Sequence, residues 1–278
     1  MNKFFIITNW ERDRELVVTG ALREKLENAG CRVDTHISKD EVNGVYTDPE
    51  SIPGDTDCVI VIGGDGTLIA AARDTIGLSL PILGINAGKL GFLTDVEPEM
   101  LDRAVDALVG DRCHIEERMM LNGVVRDRKG DLKSENIALN DVVINRKGSL
   151  RVVEYGVWVN DKFLSSFRAD GIIICTPTGS TGYSLSAGGP IIEPKSHIIC
   201  ITPICPHTLN TRSIVLSDEN VIRIETSDDE TEVNFDGRVS FALEASDSVE
   251  ITRSDHSAKI MRINEESFLT ILSDKFKK

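Results

Sequence analysis

At 278 residues, 41% hydrophobic and 27% charged, the sequence can build a sizeable core and is neither disordered nor fibrous in composition. Its formal charge of −14 repels nucleic acid and anionic membrane surfaces, so an anionic ligand has to be held by local groups. Six cysteines, at 31, 58, 113, 175, 200 and 205, include no CxxC pair, which argues against zinc and for reduced thiols in the cytoplasm.

The first element is KFFIIT, a strand whose apolar run is too short for a signal-peptide core or a membrane span. LVVTGALREKLENAG follows as a helix with Leu16, Val17, Leu22, Leu26 and Ala29 on one face, stopped by Gly30. RVDTHI, CVIVIG and PILGIN are short apolar runs, and the last two have no polar face, as parallel strands covered on both sides require. EPEMLDRAVDALVGD adds a helix with Leu101, Ala104, Val105 and Leu108 at helical spacing. This alternation predicts an α/β open-sheet domain over residues 1–118. From MLNGVVR to SVEITR the chain becomes a series of short strands with turns, which predicts an all-β, sandwich-like domain over 119–255. The remaining 256–278 forms a tail whose ESFLTILSDKF reads as a closing helix that could return to the first domain. No linker separates the two domains, so direct packing with a cleft between them is expected.

Three stretches carry chemistry. VIGGDGTL, residues 61–68, lies between a strand and the helical TLIAAARDTIG, so its N–H groups converge where open sheets bind anions. It matches neither the GxGxxG fingerprint nor a P-loop. Gly63, Gly64, Gly66 and Thr67 are candidate phosphate ligands. Asp65 is a proton acceptor for a substrate hydroxyl, a partner of a phosphate-bound magnesium, or a plain helix cap. NAGKLGFL, residues 86–93, supplies a second glycine strip with Asn86, Gly88 and Lys89 as further phosphate candidates. Finally CTPTGSTGYSLSAGGP, residues 175–190, follows the apolar strand GIIIC. Its glycines permit close backbone approach, its hydroxyls donate and accept, and Tyr183 offers a stacking face, which together suit a nucleoside.

GGDGT, NAGKLGFL, ERMML, ALND, ADGIIICTPTGSTGYSLSAGGP and PICPHTLNTRSIV together resemble the NAD kinase family over roughly residues 59 to 240. GGDGT is shared with diacylglycerol and sphingosine kinases, whereas TPTGSTGYS and CPHTLN separate NAD kinases from them. The resemblance implies phosphoryl transfer from ATP, another triphosphate or polyphosphate to the 2′-hydroxyl of the adenosine ribose of NAD, with magnesium on the triphosphate and no metal ligands from the protein. It makes Asp65 the acceptor of the ribose proton, with Gly66 beside it. Asn140 and Asp141 contact ribose hydroxyls, and Asp170 meets a base edge or the nicotinamide. Thr181, Gly182, Tyr183, Ser184, Leu185 and Ser186 surround a base, and Arg151 and Arg168 lie near the nucleotide. His207 and Trp158 read as structural residues. The sequence departs from the family at Asp141, where Glu is frequent, at Gly182, where Ala is usual, and at Arg238, where Gln is common; a guanidinium there could touch a phosphate. A homodimer or homotetramer is expected. A lipid kinase with a GGDGT loop and a dinucleotide sensor without catalysis are the rival readings.

Overall fold

The structure is a computed structural model that describes residues 1–39, 45–88, 91–148, 152–207, 211–227, 230–264 and 268–277. The apolar runs of the first part become parallel strands, β1 (Lys3–Asn9), β2 (Arg32–Ser38), β3 (Cys58–Gly63) and β4 (Ile82–Asn86), in the order β2-β1-β3-β4. Every residue of β3 and β4 is buried, as their lack of a polar face requires. Helices α1 (Val17–Asn28), α2 (Asp65–Asp74) and α3 (Leu101–Val109) alternate with them. One core joins Ile60, Ile62, Leu83 and Ile85 to Leu22 and Leu26 of α1 and to Leu101, Ala104 and Leu108 of α3.

The inward face of α1 differs from the expected one. Leu16 takes a left-handed conformation, φ 54°, so the helix starts at Val17, which points to solvent with 64% exposure. Thr19, Leu22 and Leu26 are the buried positions. Asp13, also buried, caps this start by accepting from the amides of Val18 and Thr19 at 3.3 and 2.9 Å.

The rest of the chain is almost all strand: β5 (His114–Arg126), β6 (Leu132–Ala138), β7 (Asp141–Arg146), β8 (Val153–Val159), β9 (Lys162–Ala169) and β10 (Gly171–Cys175), followed by a single helical turn, α4 (Tyr183–Ser186). β11 (Ile198–Ile204), β12 (Ile214–Ser217), β13 (Ile222–Thr226), β14 (Thr231–Phe235), β15 (Val239–Leu243) and the long β16 (Ser248–Arg262) come next, and helix α5 (Phe268–Phe276) closes the chain.

Two compact units result: residues 1–118 with 258–278, and residues 119–257. In the first, Ile260 and Met261 of β16 add a parallel neighbour to Ile82 and Leu83 of β4. In the second, β16, β13, β8 and β9 pair in that order, and β12-β11-β10-β7-β14-β15 form an antiparallel sheet. Strand period two sorts the side chains of this sheet. Val142, Ile144, Ile172, Ile174, Ile199 and Ile201 enter a core shared with Tyr155, Ile222 and Ile251 of the other strands, whereas Val143, Ile173, Cys175 and Cys200 face Ile192 and Ala187. The second layer therefore places the segment after β10 against the back of the sheet.

Candidate active site

In the first unit, β3 ends at Gly63 and α2 begins at Asp65, with Gly64 extended between them. Gly63 has no room for a side chain, because a Cβ there would lie 2.6 Å from Thr67 Oγ1. Asp65 is not a side-chain cap for α2. Its carboxylate reaches the turn after the second glycine strip, where Oδ2 accepts from Phe92 N at 2.7 Å and Oδ1 from Leu93 N and Thr94 N, both at 3.1 Å. Thr94 Oγ1 lies 3.4 Å from the same Oδ1. Gly91 makes this approach possible, since a Cβ there would fall 1.8 Å from Asp65 Oδ1. The two glycine strips are thus tied together through one carboxylate, whose Oδ2 takes only one of these four bonds.

The neighbouring candidates divide. Asn86 is buried and donates to the carbonyl of Gly88 at 2.8 Å, so it shapes the strip. Thr67 Oγ1 accepts from Asn9 Nδ2 at 3.0 Å and packs over Gly63, so the structure gives this hydroxyl a local task in place of an open phosphate contact. Arg12 Nη1 would be 3.7 Å from a Cβ on Gly88, which brings a guanidinium beside the strip that sequence reading left out. Asn9 Oδ1 orders that loop by accepting from the amides of Glu11 and Arg12 at 2.9 and 3.3 Å. Lys89 lies outside the described residues.

In the second unit, a cavity of about 280 Å³ is lined by Asn140, Asp141, Asn145, Tyr183, Asn234 and Asp236. Asp141 is 5% exposed, and burial together with the charge of Asp236 pushes its carboxyl up to about 7. Asp236 was not singled out by sequence, although the DG pair in NFDGR signals a tight hairpin. Both turn residues have positive φ, 52° at Asp236 and 67° at Gly237, and the Asp236 carboxylate accepts from the amides of Leu139, Asn140 and Asp141 at 2.8, 2.7 and 3.1 Å. It fixes the backbone that presents Asn140 and Asp141. Asn140 Oδ1 is buried with no hydrogen-bond partner among the described residues, a polar atom of the kind a ligand donor would satisfy.

The Thr- and Gly-rich segment packs directly on this strand start. Thr176 N donates to Asn140 O at 2.9 Å, Thr176 Oγ1 donates to Leu139 O at 2.7 Å, and Gly179 N donates to Thr176 Oγ1 at 3.0 Å. A Cβ at Gly179 would lie 2.1 Å from Asn140 O. Tyr183 projects into the cavity with 48% exposure. Its hydroxyl pKa is raised by partial burial and by nearby Cys205, Asp141 and Asp170. Thr181 and Gly182 are half-buried beside it, and Leu185 and Ser186 are exposed. Ser184 is fully buried at 3.2 Å from Thr202 Oγ1, so its hydroxyl serves the core here.

Among the remaining candidates, Asp170 pairs with Arg146 through Oδ1 and Nε at 3.0 Å. Arg146 is a second basic residue that sequence reading passed over. Arg168 is exposed on β9, and Arg238 is half-buried after the Asp236 turn with its guanidinium pKa lowered by burial. Arg151 and residues 208–210 of CPHTLN lie outside the described residues. Trp158 stacks edge-on to Phe163 and under Arg223, a packing role. His207 is exposed, and its amide donates to Arg168 O at 2.8 Å.

Family models for the ATP-NAD kinase N-terminal and C-terminal domains match residues 10–113 and 139–263. The NAD kinase of Lachnoclostridium phytofermentans is 41% identical, with 99% of each chain covered. That of Ruminiclostridium cellulolyticum is 39% identical over 99% of this chain and 98% of its own. Among solved structures, yeast NADH kinase complexed with NADH superposes with a TM-score of 0.83 at 23% identity, covering 99% of this chain and 88% of the other. An NAD kinase from Archaeoglobus fulgidus in complex with ATP gives 0.78 at 23%, covering 99% and 98%. The two superpositions establish a shared fold.

Proposed function

The chain belongs to the ATP-NAD kinase family and is an ATP-dependent NAD kinase, and from that premise we propose that Asp65 accepts the proton of the attacking 2′-hydroxyl of the adenosine ribose. The observation that supports this reading is the clamp on its carboxylate. Three amides and a hydroxyl fix Asp65 at the meeting of two glycine strips, and Oδ2, with a single donor, keeps lone-pair capacity for one more proton. Such fixed placement is what phosphoryl transfer asks of a protein, since positioning and charge neutralisation supply most of the rate. The full-length likeness to NAD kinases leaves the lipid-kinase reading without support.

Gly63, Gly64, Gly66 and Gly88 offer backbone to the triphosphate, and Arg12 adds a positive charge beside them. Asn140 and Asp141 take ribose hydroxyls, and Tyr183 lies against the base with Thr181 and Gly182 around it. Arg168, Asp170 and Arg238 complete the polar surroundings of the dinucleotide. Among the described residues no group of three His, Cys, Asp or Glu could hold a metal ion. Magnesium enters the proposal as a companion of ATP, with phosphate oxygens as its main ligands, where it would offset charge on the transferred group. Among the described residues no helix is long and apolar enough to cross a membrane. A cytoplasmic homodimer or homotetramer, with polyphosphate as an alternative donor, completes the proposal.

Replacing Asp65 by Asn tests the assignment. The variant is expected to bind ATP and NAD with affinities near those of the native protein while kcat falls roughly 1000-fold. Its amide also meets the Phe92 N–H with a donor, so melting should drop by a few degrees, on the order of 1–2 kcal/mol. A kcat within about threefold of the native value would sink the role.

A further inference from the structure

Strand β16 ends on Arg262, a guanidinium buried to 5% exposure. A buried cation must have its donors filled. Nη2 donates to Phe92 O at 3.0 Å, Nη1 to Leu93 O at 3.1 Å and to Asp95 Oδ1 at 3.4 Å, and Nε to Glu116 Oε2 at 3.3 Å. Glu116 also binds Arg118. Asp95 Oδ2 accepts from the amides of Ile263 and Asn264 at 2.8 and 3.1 Å, which staples the strand end to the same turn.

The two carbonyls belong to the peptide groups whose other ends hold Asp65. The Phe92–Leu93 peptide turns its C=O to Arg262 and its N–H to Asp65 Oδ1, and the Leu93–Thr94 peptide does the same. Two planar peptide groups therefore each bridge a guanidinium to a carboxylate. Rotating either plane breaks both of its bonds, and the cation polarises each N–H toward the acceptor.

We infer that Arg262 is a positioning residue for phosphoryl transfer, acting on Asp65 through these two peptide groups; the inference rests on Asp65 being the proton acceptor. Arg262→Lys keeps the charge, but an ammonium cannot span both carbonyls in the plane of a fork. The variant should lose roughly 50-fold in kcat, with KM for NAD and for ATP within about twofold of native. Placed in an Asp65→Asn background it should cost almost nothing more, because the group it serves is already disabled. Glu116→Gln, which preserves volume and removes the negative charge facing Nε, should lose roughly fivefold in kcat with the same non-additivity, and it carries the test if Arg262→Lys does not fold. Steady-state kinetics of the single and double variants, with thermal melts alongside, read the outcome. An unchanged kcat, or losses that multiply with that of a slow Asp65→Asn enzyme, overturn the positioning role and leave Asp65 in place. An Asp65→Asn enzyme at the native rate overturns the premise instead.

Discussion

Asp141 is buried at a cavity that it shares with Asp236, and burial first, with the neighbouring charge second, pushes its carboxyl up toward neutrality. An aspartate in the unfolded chain titrates near 3.9, whereas burial and Asp236 raise Asp141 to about 7. The folded protein thus binds the proton more tightly, so this group's contribution to stability is fully present below about pH 4 and is lost as pH rises toward 7. In the role proposed for Asp141 ligand binding runs the other way, because the ionised carboxylate is the better acceptor for two ribose hydroxyls. KM for NAD should fall as pH rises from 6 to 8, with an apparent pKa near 7, and Asp141→Asn should abolish that dependence while raising KM roughly tenfold. Melting temperatures supply the second check. The Asn variant should gain on the native protein between pH 5 and pH 8, and a difference that is flat with pH would refute the raised carboxyl.

At the scale of elements, the glycines of the segment after β10 differ in what they exclude. At Gly179 a Cβ would press to 2.1 Å from the backbone oxygen of Asn140, which β7 and the Asp236 carboxylate hold in place. At Gly182 the nearest atoms would be Gly179 O at 3.3 Å and Asn140 Nδ2 at 3.4 Å, so a methyl group there would ask its neighbours to give by only a few tenths of an ångström. Gly179→Ala should therefore lower melting by more than about 5 °C and abolish NAD binding, on the order of 2–3 kcal/mol of overpacking. Gly182→Ala should cost less than about 2 °C. Equal effects would show that the segment does not lean on Asn140. The apolar runs made β1, β3, β4 and β10 legible in the sequence, because burial on both faces leaves a continuous pattern. Motif residues were legible as a set but not in their tasks. A Ser or Thr in a glycine-rich run reads the same whether it faces a cavity or, like Ser184 and Thr176, is buried in the packing. Asp236 and Arg262 escaped because each acts through backbone amides or carbonyls of residues roughly 95 and 170 positions away, and no local spacing records that.

For the molecule as a whole, the first compact unit is discontinuous in sequence, and its last piece is part of its core. Residues 258–278 return to it after the chain has built the second unit. Met261 and Ile263, 2% and 7% exposed, belong to that core, Ile260 is fully buried on the strand beside β4, and Arg262 between them holds the turn that fixes Asp65. Three buried side chains of this size contribute about 6 kcal/mol, which is comparable with the 5–15 kcal/mol that holds a whole domain together. A chain ended after Ser257 should consequently lose the cooperative melting of the first unit and all kinase activity. The second unit keeps its own core around Tyr155, Ile172 and Phe235, so one transition should survive. Calorimetry of the shortened chain decides the matter. Two intact transitions would mean that the parallel strands of residues 1–118 need no partner from the chain's end, and that the turn holding Asp65 keeps its shape without Arg262.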